Sequence, residues 1–236
     1  MKYLIVNGDD FGASFGISRG ILEAHQRGIL TSTSLMVNAP ASAAAAEMAG
    51  ATPKLSVGLH ADLTAEMREP DATLGRRLGA ELDRQLRRFE KLMHRGPTHL
   101  DAHYNLHRDP RALPHFLELA LRHRLPLREH SPVRYFSSFY GQWGGIAHGE
   151  QINPEGLARL LETEIGEGIT ELSCHPGYVE PGLATSYAAE REMEVRTLCD
   201  PFIRQVLAEQ AIQLVNYHDL DKLVLGAAKE RSSCLR

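Results

Sequence analysis

Cysteine is scarce: Cys174, Cys199 and Cys234 are the only three in 236 residues, odd in number and far apart. That spacing matches neither a disulfide framework nor a CxxC metal knuckle, so reduced thiols are expected, with Cys174 as a small buried hydrophobe. Charge of one sign is not gathered anywhere. No run of five or more like charges occurs, and 26 basic against 30 acidic side chains leave a net charge of −4. Binding of nucleic acid or of an anionic membrane surface therefore has no electrostatic support. Long hydrophobic runs are missing too. Met1 to Val6 turns polar at Asn7-Gly8-Asp9-Asp10, too short an apolar stretch for a signal peptide, and nothing later reaches membrane-span length. A cytoplasmic protein without membrane contact is the expectation. No Gly/Ser/Pro linker, composition shift or short internal repeat divides the chain, so residues 1–236 read as a single domain.

What is present is an ordinary globular composition, 43% hydrophobic with 20 glycines, and an excess of histidine, 12 in all. Short apolar or β-branched runs alternate with longer stretches of helical spacing. Strands are expected at 3–6, 32–37, 55–59, 98–101, 125–128, 170–174 and 212–216. Helices are expected at 17–27, 41–48, 74–93, 113–123, 154–165 and 187–210, the last breaking at Asp200-Pro201 because proline cannot continue the helical ladder. Gly28, Gly50 and Gly96 sit where helices should stop. Strict β-then-α alternation implies parallel strands joined by right-handed crossovers. The fold class is thus α/β, a distorted seven-stranded (β/α) TIM-like barrel, with an open doubly wound sheet as the alternative. Residues 129–153, rich in aromatics and glycine, are long for a connection and are expected to cover a site.

Carboxylates and imidazoles collect at the ends of these strands. Asp9 and Asp10 follow the first, His60 ends the third, Asp101 and His103 close the fourth, Arg128 the fifth, His175 follows the sixth and Tyr217-His218 the seventh. In a parallel barrel all C-terminal strand ends share the face where active sites are built. Each residue alone has a plainer explanation: adjacent aspartates cap helices and make turns, and a single histidine often fills a core. Their common position is what argues for function. His25, His94, His107, His115, His123 and His130 lie on helical, loop or charged stretches and read mostly as solvated. One carboxylate and two imidazoles form a facial set that holds a divalent metal and leaves positions open. Asp10, His60 and His103 are the expected ligands and Asp9 the base. A protonated His175 is expected to supply a proton to a leaving amine.

At these residues the sequence resembles the YdjC/ChbG/HpnK family of carbohydrate deacetylases. The resemblance rests on Ile5-Val6-Asn7-Gly8-Asp9-Asp10-Phe11-Gly12, Gly28 through Asn38, Val57-Gly58-Leu59-His60, Thr98-His99-Leu100-Asp101-Ala102-His103 and Cys174-His175-Pro176-Gly177. A weaker match runs from Tyr187 through Glu194, a Tyr, Arg and Glu pattern on a helix. The family's properties imply a distorted barrel, Asp10, His60 and His103 on a metal, Asp9 as base, and removal of acetyl groups from N-acetylated sugars. Magnesium is the implied metal, with zinc equally suited to the ligand set, and a homodimer is implied by analogy. Asn105 stands where the family often has a histidine, Gly8 replaces a commoner alanine, and the stretch between His60 and Thr98 is short for the family.

The leading expectation is therefore a metal-dependent hydrolase acting on an N-acetylglucosamine-containing oligosaccharide or glycolipid, with Arg128, Asp101, Tyr140 and Trp143 holding the sugar. A phosphoesterase-like metal hydrolase on the same barrel is the rival, disfavoured by few basic groups near the site. A sugar-binding protein without turnover has no need of Asp9 beside a metal. A serine or thiol hydrolase built on Ser173 or Cys174 with His175 fails because strand neighbours point to opposite faces.

Overall fold

A computed structural model describes residues 1–68, 71–180 and 185–225; Cys234 lies outside the described residues. Among the described residues nine strands form, β1 (Lys2–Phe11), β2 (Ser32–Leu35), β3 (Ser56–Ala61), β4 (Leu100–Ala102), β5 (Arg134–Phe136), β6 (Gln142–Trp143), β7 (Ile146–Ala147), β8 (Gly168–Cys174) and β9 (Ile212–Leu214). Around them lie α1 (Phe15–Arg27), α2 (Ser42–Gly50), α3 (Thr64–Met67), α4 (Leu74–Met93), α5 (Leu113–His123), α6 (Gly149–Ile152), α7 (Pro154–Glu164), α8 (Ala189–Leu198) and α9 (Pro201–Glu209).

Local chemistry sets the helix ends. Ser14 caps α1 by accepting from Ile17 N–H, Asn153 caps α7 through Gly156 N–H, and Asp200 caps α9 through Phe202 N–H. Pro154 and Pro201 stand in the first turn of α7 and α9, where a missing N–H costs nothing. The expected break at Asp200-Pro201 separates α8 from α9. Leu74, Leu78, Leu82, Leu86, Phe89 and Met93 give α4 its buried stripe. Its stop is His94, left-handed at φ 54°, two residues before the glycine expected to do this.

The main sheet is parallel and curled, in the order β4-β3-β2-β1-β8-β5, with β9 beside β1. β9 pairs only Lys2 to Leu4, while β2 pairs Asn7 to Phe11 on the upper half of β1. One expectation needs correction, and the expected barrel is met in part, as a curled half-barrel. Leu125–Arg128 is not a strand: Leu127 makes a single bridge to Leu100, and Glu129, at φ 64°, turns the chain away. The strand forms instead at Arg134–Phe136, against β8. Among the described residues no ladder joins β5 to β4, so the curled sheet stays open there rather than closing into a barrel.

A glycine shows how tightly the interior is filled. A Cβ on Gly58 would collide with the His99 ring, which stacks on Tyr217 at 3.9 Å between centroids. His99 is fully buried there, and burial pushes its pKa down to about 4. It thus sits in the core, below the cleft that His103 lines.

Candidate active site

Asp9 and Asp10 should point to opposite faces of a regular strand. They do not, because β1 bulges: from Gly8 to Phe11 three steps oppose the two from Thr33 to Leu35 on β2. Asp10 absorbs the extra residue at φ 68°, a left-handed conformation that aspartate tolerates better than most side chains. Both carboxylates therefore line one cleft of about 260 Å³, together with His60, His103, Tyr135, Tyr140, His175, Tyr187 and Arg191.

Asp10, His60 and His103 present ligand atoms all within 4.8 Å of one another. Asp10 Oδ1 lies 3.4 Å from His60 Nε2 and 3.2 Å from His103 Nδ1, yet this buried oxygen has no partner in hydrogen-bonding geometry. His60 Nδ1 is 2.7 Å from Asp101 Oδ1, a bond that fixes the ring and leaves Nε2 facing Asp10. An orphaned carboxylate oxygen between two imidazole nitrogens, with the outer nitrogen of one ring already held, fits a divalent cation. A second acidic group, Asp9, His60 and Asp101, is equally close-set. It suits a metal less, since Arg128 already occupies both of its carboxylates.

Electrostatics follow from burial and partners. Burial opposes ionisation of Asp10, but His103, His60 and Arg191 outweigh it and hold the carboxyl well below the usual range. Burial likewise opposes a charged His60, and Asp101 and Asp10 overcome it and raise its pKa well above the ordinary value. Arg128 offsets the burial of Asp9. Its Nη1 and Nη2 donate to the two Asp9 oxygens at 2.8 Å each, and Asn7 Nδ2 adds a third donor at 2.8 Å. Against the cost of burial, the guanidinium lowers the Asp9 pKa.

Not every expected site residue faces the cleft. Arg128 is 2% exposed and Asp101 0%; their polar atoms meet Asp9, Glu171, His60 and each other. Neither lines the cleft; Arg128 meets Asp9 and Asp101 meets His60. Trp143 lies outside the cleft, 49% exposed on the β6–β7 hairpin and stacked on His148 at 3.5 Å. Tyr140 does line the cleft, stacked on Tyr187 at 4.6 Å. His175 Nε2 is 4.0 Å from Asp9 Oδ2. Burial lowers the His175 pKa, with Asp9 and Asp10 pulling it back only in part. His218 is exposed, because β9 ends level with Leu4, well below Asp9. His107, expected in solvent, is buried against Glu129 at 2.9 Å.

Residues that sequence reasoning left without a role complete the site. Arg191 Nη2 donates to Asp10 Oδ2 at 2.5 Å. Glu171 accepts from Arg128 Nε at 2.9 Å and from Tyr217 OH at 2.6 Å. The available signals were the Tyr-Arg-Glu pattern of 187–194 and a charge inside the apolar run Thr170-Glu171-Leu172.

A model of the family described as YdjC-like protein matches residues 3–209 of this constellation-bearing chain. The chain belongs to the YdjC-like family. Among relatives of this YdjC-like chain, a carbohydrate deacetylase of Geobacillus stearothermophilus is 36% identical, with 94% of this chain and 99% of the relative covered. A chitooligosaccharide deacetylase of Yersinia pestis is 30% identical, with 92% and 99% covered. A solved structure from Enterococcus faecalis, named for cellobiose-phosphate cleavage, superposes at a TM-score of 0.78 and 27% identity, covering 93% of this chain and 98% of its own. A family 4 carbohydrate esterase from Streptomyces lividans matches at a TM-score of 0.59 and 13% identity over 90% and 91% of the two chains, a likeness of fold alone.

Proposed function

We propose that this YdjC-like protein is a carbohydrate deacetylase, a hydrolase that cleaves the acetamide of an N-acetylated sugar such as an N-acetylglucosamine oligosaccharide or glycolipid. The observation that carries the reading is the β1 bulge, which turns Asp9 and Asp10 into the same cleft as His60, His103 and His175. Asp10, His60 and His103 would hold a divalent cation, magnesium first and zinc as the alternative. Bound there, the cation supplies Lewis acidity, polarising the acetamide carbonyl and easing deprotonation of water.

The chain's own residues do the rest. Asp9, oriented by Arg128 and Asn7, takes the proton of the attacking water. His175, its Nε2 4.0 Å from Asp9 Oδ2, accepts from Asp9 the proton taken from water and delivers it to the departing amine as the C–N bond breaks, which returns both groups to their starting state. Acetate and the free amino sugar leave. Tyr140 and Tyr187 offer ring surface for the pyranose at the wall of the cleft. The phosphoesterase alternative gains little: among described residues the one guanidinium lining the cleft, Arg191, is engaged by Asp10 and by the His175 carbonyl.

The test is acetate release from N-acetylglucosamine oligomers with added magnesium or zinc, with and without chelator, beside Asp9→Asn. Chelation is expected to abolish turnover, and Asp9→Asn to lower kcat by roughly 10²–10⁴-fold, the usual worth of a positioned base. Activity that survives both treatments overturns the metal-and-base reading. Sugar binding without acetate release under any metal would favour a binding protein.

A further inference from the structure

His175 lacks the support that a proton-transferring histidine normally has. Its Nδ1 is buried with no hydrogen-bond partner among the described residues, so no side chain orients the ring through its far nitrogen. Tyr140 and Tyr187 meet it only edge-on, at 5.6 and 5.9 Å between centroids. Something else must set where Nε2 points.

Helix α8 provides it. One face of this helix buries Glu190, Arg191, Glu194 and Thr197, an unusual load of polar side chains for a packed surface. Arg191 and Glu194, three residues apart and so on the same face, reach opposite sides of the same residue. Glu194 Oε2 accepts from His175 N–H at 2.5 Å, and Arg191 Nη1 donates to the His175 carbonyl at 3.2 Å. The second Glu194 oxygen accepts from Tyr187 OH at 2.6 Å, and that hydroxyl accepts from Gly141 N–H at 2.7 Å. One fully buried carboxylate thereby ties the backbone of His175, the Tyr187 ring and the base of the aromatic segment carrying Tyr140.

We propose that α8 acts as a backbone clamp on His175, with Glu194 as a positioning residue that fixes the imaginary line from His175 Nε2 to the leaving nitrogen without touching substrate. The inference rests on the deacetylase reading in one respect, that His175 transfers a proton. Burial raises the Glu194 pKa to about 8, and in either protonation state one of its oxygens still accepts from His175 N–H.

The test reads kcat and KM for acetate release in the full-length metal-loaded enzyme and in Glu194→Met, which fills the space without an acceptor. Glu194→Met is expected to lower kcat by up to about 10²-fold, the scale of a misplacement near 1 Å, with KM little changed. In a His175→Ala background the same substitution is expected to cost nothing further, because it acts through the missing ring. Glu194→Gln, which keeps one acceptor for the His175 amide, is expected to restore most of kcat. Losses that multiply in the double variant, or a change in KM alone, overturn the clamp. If Glu194→Met does not fold, hydrogen exchange at the His175 amide of the unaltered protein decides: slow exchange is required, and exchange at the rate of an open loop amide overturns the proposal. Should the unaltered enzyme release no acetate from any acetylated sugar, the deacetylase reading fails while the exchange measurement still decides the clamp.

Discussion

Glu194 carries a cost that can be measured. Buried and facing Tyr187 and the His175 amide, it has its pKa raised to about 8, against an ordinary value of 4.5. The folded state thus keeps a proton that the unfolded chain has released throughout that interval. Stability contributed by this group is therefore full below pH 4.5 and falls as pH rises toward 8. Chemical denaturation from pH 5 to 8.5 is expected to show a declining unfolding free energy in the natural protein and a shallower decline in Glu194→Gln. Equal slopes would mean the carboxyl is not held protonated. At this scale the sequence marked Asp9, Asp10, His60, His103 and His175 through their places at strand ends. It did not separate residues that face the cleft from those beneath it. Asp101 and Arg128 occupy the same strand-end positions as true cleft residues, and only the packed interior shows that they point at other side chains.

Elements were legible where they are long or capped. α4 and α5 span the expected residues, and the Asp200-Pro201 break falls as chemistry requires. The strand at Arg134–Phe136 is three residues amid arginine, serine and tyrosine, too short for alternation to register, whereas Leu125-Pro126-Leu127 looks like a strand and pairs once. Nor does periodicity reveal the β1 bulge, although the paired aspartates depend on it. The bulge makes its own prediction. Asparagine tolerates the left-handed region at position 10, while an alanine there pays about 1–2 kcal/mol. Both Asp10→Asn and Asp10→Ala should lose metal-dependent acetate release, since each removes the carboxylate. Asp10→Ala should also unfold at a lower temperature than Asp10→Asn. Equal melting temperatures would show that the backbone conformation at position 10 is not what favours an Asx residue.

Across the whole molecule, the curled sheet is filled by a charged network and not by apolar side chains alone. Arg128, 2% exposed, joins Asp9 on β1, Asp101 on β4 and Glu171 on β8, and Tyr217 closes the chain of contacts below through Glu171. The open gap between β4 and β5 makes this cross-link matter, because no ladder spans it among the described residues. Burying a guanidinium costs free energy, and three carboxylates offset that cost only while it is present. Arg128→Met keeps much of the volume and strands the carboxylates. Leaving buried charges without a partner costs about 3–5 kcal/mol. For a chain of this length that corresponds to a fall in melting temperature of roughly 6–20 °C. Whatever folds is expected to turn over slowly as well, since among the described residues Asp9 then keeps Asn7 as its one remaining side-chain donor. Differential scanning calorimetry of Arg128→Met beside the natural protein decides the matter. A melting temperature within a degree or two of the natural value would mean that the apolar shell, and not the buried charge network, holds the curled sheet together.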